Sequence, residues 1–246
     1  MKMTIISMMN TMDSVKYDFK SIKVVAIDAD DTLWVNEPFF REAEDIFCNL
    51  LEGFLPRHSI VKELYNIEIN NLKRYGYGIK SFTLSMIETY QSITQSLGRP
   101  KDITEILNIG KSMLDKPVEL LPEVENTLQN LTDHRLVLAT KGDLVDQERK
   151  LKKSGLEKYF HHIEIMTEKD ANGYQKLIKH LDIEPREFLM VGNSLRSDVL
   201  PVLEIGGHAI HIPFHTTWIH EEVNDNIEHK NFHQLKSFSK LNSLFL

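Results

Sequence analysis

Side chains that can carry out chemistry occur at four places in this sequence, each directly after a segment that is predicted to be a strand. They are Asp28, Asp30 and Thr32, then Thr140 and Lys141, then Lys169, and finally Asn193 and Asp198. Carboxylates, ammonium groups and hydroxyls can transfer protons, attack a substrate or bind a cation. The residue types therefore permit catalysis if the fold brings them together.

The elements that would position these side chains follow from the apolar pattern. Short apolar segments alternate with helical segments, which is typical of right-handed βαβ units and a parallel sheet. The strands are predicted at Lys23–Asp28, Arg135–Thr140, Ile163–Thr167, Glu187–Val191 and Ala209–Pro213. The helices are predicted at Glu123–Leu131, Leu144–Ser154, Ala171–Leu181 and Arg196–Ile205. Because ligands bind beyond the carboxyl ends of parallel strands, the four groups are expected to converge.

The alternation is interrupted after the first strand by a long helical insertion. Apolar residues recur there at steps of three and four, as in Phe40, Ala43 and Phe47, and Pro117 ends the pattern. We therefore predict three parts of the chain. They are an N-terminal extension (1–20), an α/β core (21–35 and 117–246) and a helical cap (36–116).

The four groups together resemble the motifs of a known superfamily. Asp28-x-Asp30-x-Thr32, Thr140, Lys169 and Gly192-Asn193-x-x-x-x-Asp198 are similar to the four motifs of the haloacid dehalogenase-like hydrolases, in the branch that contains phosphatases. The resemblance extends from about residue 23 to 213 and includes the cap after the first motif. It implies an α/β fold, with a Rossmann-like parallel sheet core and an inserted α-helical cap domain.

The resemblance also implies catalytic roles, because phosphoryl transfer through an enzyme carboxylate needs a nucleophile, a cation that offsets the charge of the phosphate, and a proton donor for the leaving oxygen. Asp28 would be the nucleophile, Asp30 would protonate the leaving group and later activate water, and Lys169 would neutralise Asp28 and the phosphate. Thr140 would donate its hydroxyl to a phosphoryl oxygen, and Lys141 is a second candidate contact for the phosphate. Lys141 and Lys176 also compete with Lys169 for its role, but Lys176 lies inside a predicted helix and is expected to be solvated.

Magnesium is the cofactor that the resemblance implies. Its ligands would be the carboxylates of Asp28 and Asp198 and the backbone carbonyl of Asp30, since Mg²⁺ prefers hard oxygen ligands. Asn193 stands where many members of the superfamily carry Asp. We expect Asn193 to orient a metal-bound water or Lys169 without touching the metal.

The carboxylate of Asp30 separates reactions within the superfamily, because a halide leaving group takes no proton and the dehalogenases lack a carboxylate there. The sequence therefore predicts a Mg²⁺-dependent phosphatase that hydrolyses a small phosphomonoester through an aspartyl-phosphate. Two alternatives stay open: a sugar phosphomutase of the same superfamily, and a non-catalytic module that binds a phosphorylated ligand.

Two residues in the link from core to cap have two interpretations. Trp34 and Asn36 would line the substrate entrance in this superfamily, or Trp34 would simply anchor the link by burial. The alternatives predict different exposure of the indole ring.

Composition limits the partners. The net charge is −7 and the pI about 5.9, which gives no basic surface for nucleic acid or anionic lipid. Cys48 is the only cysteine and no apolar run approaches the ~18 residues of a membrane span, so a reducing, cytoplasmic location is expected. The expected partner is a small phosphorylated metabolite. The sequence predicts no oligomeric state.

Overall fold

The computed structural model describes residues 19–131, 134–223 and 226–245, so residues 1–18 of the predicted extension lie outside it. Six strands form one sheet in this part of the chain: β1 (Val24–Ile27), β2 (Arg135–Lys141), β3 (His162–Met166), β4 (Phe188–Gly192), β5 (His208–His211) and β6 (Phe232–Gln234). The strand order is β3-β2-β1-β4-β5-β6, and every neighbouring pair is parallel. The predicted α/β fold is therefore confirmed.

Helices cover both faces of the sheet. They are α5 (Val124–Gln129), α6 (Leu144–Ser154), α7 (Ala171–His180) and α8 (Leu200–Glu204). Successive residues of β1 point to opposite faces, so Val25 and Ile27 pack on the side of α5 and α6, while Val24 and Ala26 pack on the side of α7 and α8. All four residues are fully buried. Asp28, which follows this central strand, thus lies at a buried edge of the sheet.

Four further helices lie between β1 and α5: α1 (Glu37–Leu51), α2 (Arg57–Tyr75), α3 (Ile79–Thr94) and α4 (Pro100–Asp115). We call these four helices the cap. They bury an apolar cluster of their own, which includes Phe47 and Met86 and is separate from the two clusters of the sheet. Helix α4 begins at Pro100, because proline is tolerated in the first turn of a helix.

The two segments that join the cap to the sheet lie side by side. The backbone N–H of Val35 donates to the Glu119 carbonyl, and that of Leu121 donates to the Leu33 carbonyl, both at 2.9 Å. The outgoing segment starts with a tight turn in which Asp31 has a φ of 61°. Both links therefore leave the sheet together, directly beside the carboxyl end of β1.

The predicted helix Arg196–Ile205 is two elements, a π-helical turn (Leu195–Val199) and α8. Pro201 has no N–H, so it cannot donate to the carbonyl of Ser197 four residues earlier. The Tyr174 hydroxyl donates to that carbonyl instead, at 3.0 Å. Strand β6 lies in a stretch for which the sequence predicted no element. None of the described helices combines the length and apolar composition that a membrane span requires.

Candidate active site

Three charged side chains from three strand ends form a buried cluster. Asp28 follows β1, Lys169 precedes α7, and Asp198 lies in the π-helical turn after β4. Lys169 Nζ donates to Asp28 Oδ1 and, at 2.7 Å, to Asp198 Oδ1. The three residues are 6%, 5% and 1% exposed, respectively. Three of the residues that the sequence singled out thus share one hydrogen-bonded cluster.

The electrostatics of this cluster favour a cation. Burial raises the pKa of Asp28 although Lys169 opposes the rise, and Asp198 adds to it. Burial alone would lower the pKa of Lys169, but Asp198 and Asp28 raise it above its ordinary value. The ammonium group therefore keeps its proton at neutral pH and faces two carboxylates. One negative charge stays uncompensated when both carboxylates are ionised.

Asn193 lies against the other side of Asp28. Its side-chain amide is 3.3 Å from Asp28 Oδ2, 3.2 Å from the carbonyl oxygen of Asp30 and 3.2 Å from Thr32 Oγ1, and its NH₂ group donates to all three. The Thr32 hydroxyl in turn donates to Asp28 Oδ2 at 3.0 Å. The Asp28 carboxylate and the Asp30 carbonyl, which were predicted to bind metal, thus both accept hydrogen bonds from Asn193.

These donors fit Mg²⁺. In the described ranges, no cluster of three or more His, Cys, Asp or Glu side chains could enclose a metal ion by itself. Carboxylates of Asp28 and Asp198 with the Asp30 carbonyl are hard oxygen donors, and they leave positions for water, which Mg²⁺ usually retains. A soft metal would instead need thiolate or imidazole ligands.

The side-chain carboxylate of Asp30 is held by three donors. The Trp34 indole N–H donates to Oδ1 at 2.7 Å, Lys150 Nζ donates to Oδ1 at 2.6 Å, and Gln147 Nε2 donates to Oδ2 at 2.8 Å. Trp34 is fully buried and does not line the cavity described below. Of the two interpretations of Trp34, its burial favours the one in which the residue anchors the link, and its indole N–H contacts Asp30.

Thr140 and Lys141 end β2 beside the cluster. Thr140 is 1% exposed and lines the cavity described below. Lys141 Nζ donates to Ser197 Oγ at 2.8 Å and to Glu221 Oε1 at 2.5 Å, and it lies 4.3 Å from the ring centroid of Tyr77, between α2 and α3. Lys141 therefore approaches the site with its charge already paired.

Glu221 is a residue that the sequence did not indicate. Its Oε2 accepts hydrogen bonds from the hydroxyls of Ser194 and Ser197, which lie four residues and one residue before Asp198 in the chain. Burial would raise the pKa of Glu221, but Lys141 and the two hydroxyls lower it to about 2. The stretch after Trp218 has no regular pattern, so no sequence signal marked Glu221.

Asp31, beside Asp30 in the first motif, has a local role. Its carboxylate accepts the backbone N–H groups of Asn36 and Glu37, with its shortest contact at 2.8 Å, and so satisfies donors at the start of α1. Burial raises the pKa of Asp31 to about 8, while these two N–H groups oppose the rise. Lys176 is exposed on α7, where the sequence predicted a solvated residue.

A cavity of about 180 Å³ joins these groups to the cap. Asp28, Asp30, Asn36, Thr140, Lys141, Lys169, Asn193 and Asp198 line its sheet end. Its far wall combines apolar side chains with the carboxyl groups of Glu37, Glu44 and Glu68 and the guanidinium of Arg41. Burial raises the pKa of Glu37 to about 7 although Arg41 opposes the rise. The cavity therefore lies between the carboxylates at the strand ends and the cap.

Comparison with known proteins identifies similar chains. A family model for haloacid dehalogenase-like hydrolases matches residues 22–206. A haloacid dehalogenase-like family hydrolase from Xanthomonas campestris has 37% sequence identity and a TM-score of 0.83, over 92% of this chain and 91% of that chain. No curated protein matches the chain.

Two more distant structures share the fold. A 2-haloacid dehalogenase from Pseudomonas syringae has 20% identity and a TM-score of 0.59, over 91% of this chain and 98% of that chain. A HAD phosphatase from Thermococcus onnurineus has 20% identity and a TM-score of 0.60, over the same shares of the two chains. Because both reactions occur on this fold, the fold alone does not choose between them.

Proposed function

Since the chain belongs to the haloacid dehalogenase-like hydrolase family, we propose that it is a Mg²⁺-dependent phosphatase that hydrolyses a small phosphomonoester. The observation that carries the proposal is the carboxylate of Asp30, which lines the same cavity as Asp28, two residues away. A phosphate ester releases an alkoxide that needs a proton, whereas a halide leaves without one. A proton donor at this position is useful for the first reaction only.

Asp28 acts as the nucleophile in this reaction. One of its carboxylate oxygens attacks phosphorus, the bond between phosphorus and the ester oxygen breaks, and the electron pair leaves with that oxygen. Asp30 donates a proton to the departing oxygen, which leaves as the alcohol. Water then attacks the phosphorus of the aspartyl-phosphate, Asp30 takes a proton from it, and inorganic phosphate and free Asp28 are formed.

The phosphate is bound by neighbours of Asp28. Lys169 already donates to Asp28, so its ammonium offsets charge where the phosphoryl group attaches. The hydroxyl of Thr140 and the ammonium of Lys141 are the further donors on this side of the cavity. Lys141 would have to share its charge with Glu221, its present partner.

The Mg²⁺ ion would be held by the carboxylates of Asp28 and Asp198 and by the carbonyl of Asp30. When bound, it supplies positive charge that stabilises the negatively charged oxygens of the phosphoryl group. Two observations support this assignment: Asp28, Asp30 and Asp198 line the same cavity, and Asp28 and Asp198 leave one negative charge uncompensated beside Lys169 when both are ionised.

The test compares the two reactions of the family on the same preparation. We expect phosphate release from p-nitrophenyl phosphate with Mg²⁺, loss of that release with excess EDTA, and recovery when Mg²⁺ is restored. Chloride release from 2-chloropropionate is measured in parallel. Chloride release without phosphate release would overturn the proposal. If phosphatase activity is found, a panel of phosphorylated metabolites then identifies the preferred substrate.

A further inference from the structure

Two of the three donors to the Asp30 carboxylate come from one face of one helix. Gln147 and Lys150 are three residues apart on α6, so their side chains lie one above the other. Each donates to a different oxygen of Asp30, Gln147 to Oδ2 and Lys150 to Oδ1. With the indole of Trp34 on Oδ1 as well, both ends of the carboxylate are fixed.

The amide of Gln147 is oriented for this contact. Its NH₂ group donates to Asp30 Oδ2 and to the Lys141 carbonyl, both at 2.8 Å, and the residue is 3% exposed. Among the described residues, Oε1 has no hydrogen-bond partner. Turning the amide over would place Oε1 against two acceptors. Gln147 thus leaves its own acceptor unpaired while it donates to Asp30.

Gly142 leaves room for this amide. A Cβ atom at position 142 would lie 2.8 Å from Gln147 Nε2, and the φ of 143° at Gly142 is one that L side chains rarely adopt. The turn between β2 and α6 therefore has the backbone shape and the small residue that the contact between Gln147 and Asp30 requires.

Lys150 joins Asp30 to the start of the cap. Its side chain is 11% exposed, and its ammonium donates to Asp30 Oδ1 at 2.6 Å and to Asn36 Oδ1 at 3.3 Å. Asn36 is the residue immediately before α1. A buried ammonium is costly unless it is paired, and in this contact Asp30 is the carboxylate that pairs it. The pair therefore fixes Asp30 relative to both α6 and the link.

We propose that Gln147 and Lys150 are positioning residues that hold the Asp30 carboxyl group where it can transfer a proton to the leaving oxygen. The inference rests on the proposed phosphatase reaction, in which Asp30 is the proton donor. Proton transfer needs the donor and the reacting oxygen within hydrogen-bond reach, so a carboxyl group that rotates freely transfers its proton more slowly. Neither residue is expected to matter for a leaving group that needs no proton.

The experiment compares two substrates in the full-length protein. Glycerol 2-phosphate has a leaving group that needs a proton, and 2,4-dinitrophenyl phosphate has one that does not. We expect Lys150→Met and Gln147→Leu to lower kcat for glycerol 2-phosphate about 10- to 100-fold, part of the usual effect of a general acid, while KM changes less than about 3-fold. For 2,4-dinitrophenyl phosphate, kcat should stay within about 3-fold of the wild type.

Two further variants separate positioning from folding. Lys150→Arg keeps the charge and the donors, so it should recover part of kcat for glycerol 2-phosphate. Lys153→Met removes an exposed lysine of the same helix and should behave like the wild type. Circular dichroism and thermal unfolding establish that each variant folds, and Gln147→Leu tests the inference even if Lys150→Met does not fold.

The outcomes distinguish this inference from the proposed function. Equal losses of kcat on both substrates, or no loss on either, overturn the positioning role while the phosphatase assignment stands. A rise in KM on both substrates at constant kcat would show that Lys150 binds substrate, and this also overturns it. If the wild-type protein hydrolyses neither substrate, the proposed phosphatase reaction is refuted, and the positioning role is refuted with it.

Discussion

Gly192 and Asp198 are matched in shape, since the carboxylate of Asp198 occupies the space where a side chain at position 192 would begin. A Cβ atom built on Gly192 would lie 2.1 Å from Asp198 Oδ2 and 2.3 Å from its Cγ. The Ser194 N–H donates to that same Oδ2 at 3.0 Å, and Lys169 holds Oδ1. Because Gly192 has no side chain at the end of β4, the carboxylate of Asp198 can reach the buried cluster.

Gly192→Ala is therefore expected to displace Asp198 rather than simply to crowd the strand. The displaced carboxylate would lose its contact with Lys169, and phosphatase activity should fall at least about 100-fold, with about 1–3 kcal/mol lost in the free energy of unfolding. Gly53→Ala is the matched control, since no atom lies within 4 Å of the added methyl group there. Wild-type activity in Gly192→Ala would contradict the close fit.

Replacement of Asp28 and replacement of Asp30 should affect the reaction in different ways. Asp28→Asn removes the nucleophile, so both turnover and the phosphorylated enzyme should be abolished. Asp30→Asn should slow alkyl phosphates by ~10²–10⁴ and spare substrates whose leaving group needs no proton. Quenched-flow trapping of the phosphoenzyme and steady-state rates on both substrate types measure the two effects. Equal losses on both types would refute the acid role of Asp30.

The sequence predicts elements best where both ends carry local signals. Helix α6 has the predicted bounds, Leu144–Ser154, because Asp143 accepts the backbone N–H of Asp146 at the start and Gly155 adopts a left-handed φ of 70° at the end. The parallel sheet follows from the same kind of local pattern. The predicted helix Arg196–Ile205 ran through Pro201, although the missing N–H of this proline is a local signal. The contact of Tyr174 with the Ser197 carbonyl is distant in the chain and has no local signal.

The same reasoning explains which parts of the site stayed hidden. Motif residues such as Asp28 and Asp198 can be found from the sequence because they follow segments whose apolar pattern predicts a strand. Gln147 and Lys150 lie 117 and 120 residues after Asp30, inside a helix where polar residues three apart usually face solvent. Only the packing of α6 beside β1 brings them to Asp30. The spacing alone could not separate this face from an exposed one.

The carboxyl group of Glu68 in the cap predicts a pH-dependent stability. Burial raises its pKa to about 8, and the nearby Glu37 and Glu44 carboxyls add to the rise. The folded protein therefore favours the protonated form. The stabilisation of the folded state by protonated Glu68 is fully present below the ordinary pKa of 4.5 and is lost as the pH rises through about 8. Stability should thus decline between those values, relative to a variant that cannot ionise.

Glu68→Gln is that variant. Relative to it, the free energy of unfolding of the wild type should fall by about 2 kcal/mol between pH 5 and pH 9, a value reduced for the partial exposure of Glu68 to the cavity. Urea denaturation at several pH values measures the difference. Glu52→Gln, at an exposed site after α1, is the matched control. A difference between the wild type and Glu68→Gln that does not change with pH would contradict the prediction.

Asn193 and Asp198 should differ in their effect on magnesium. Asp198 supplies a carboxylate to the proposed ion, so Asp198→Ala should abolish both magnesium binding and activation. Asn193 instead donates to Asp28 Oδ2 and the Asp30 carbonyl, two of the oxygens that would hold the ion. Asn193→Ala should therefore cost only ~10–100-fold in metal affinity or activity, as is usual for a residue that orients ligands.

Asn193→Asp tests how an added negative charge changes magnesium binding and KM. A third carboxylate beside Asp28 and Asp198 should tighten magnesium binding somewhat, but it should raise KM for phosphate esters because it repels the incoming dianion. Calorimetric titration with MgCl₂ measures binding independently of activity, and Asn66→Ala, an exposed site on α2, is the control. If Asn193→Ala loses magnesium entirely while Asp198→Ala retains it, the ligand assignment is reversed. In that case the amide, not the carboxylate, contacts the metal.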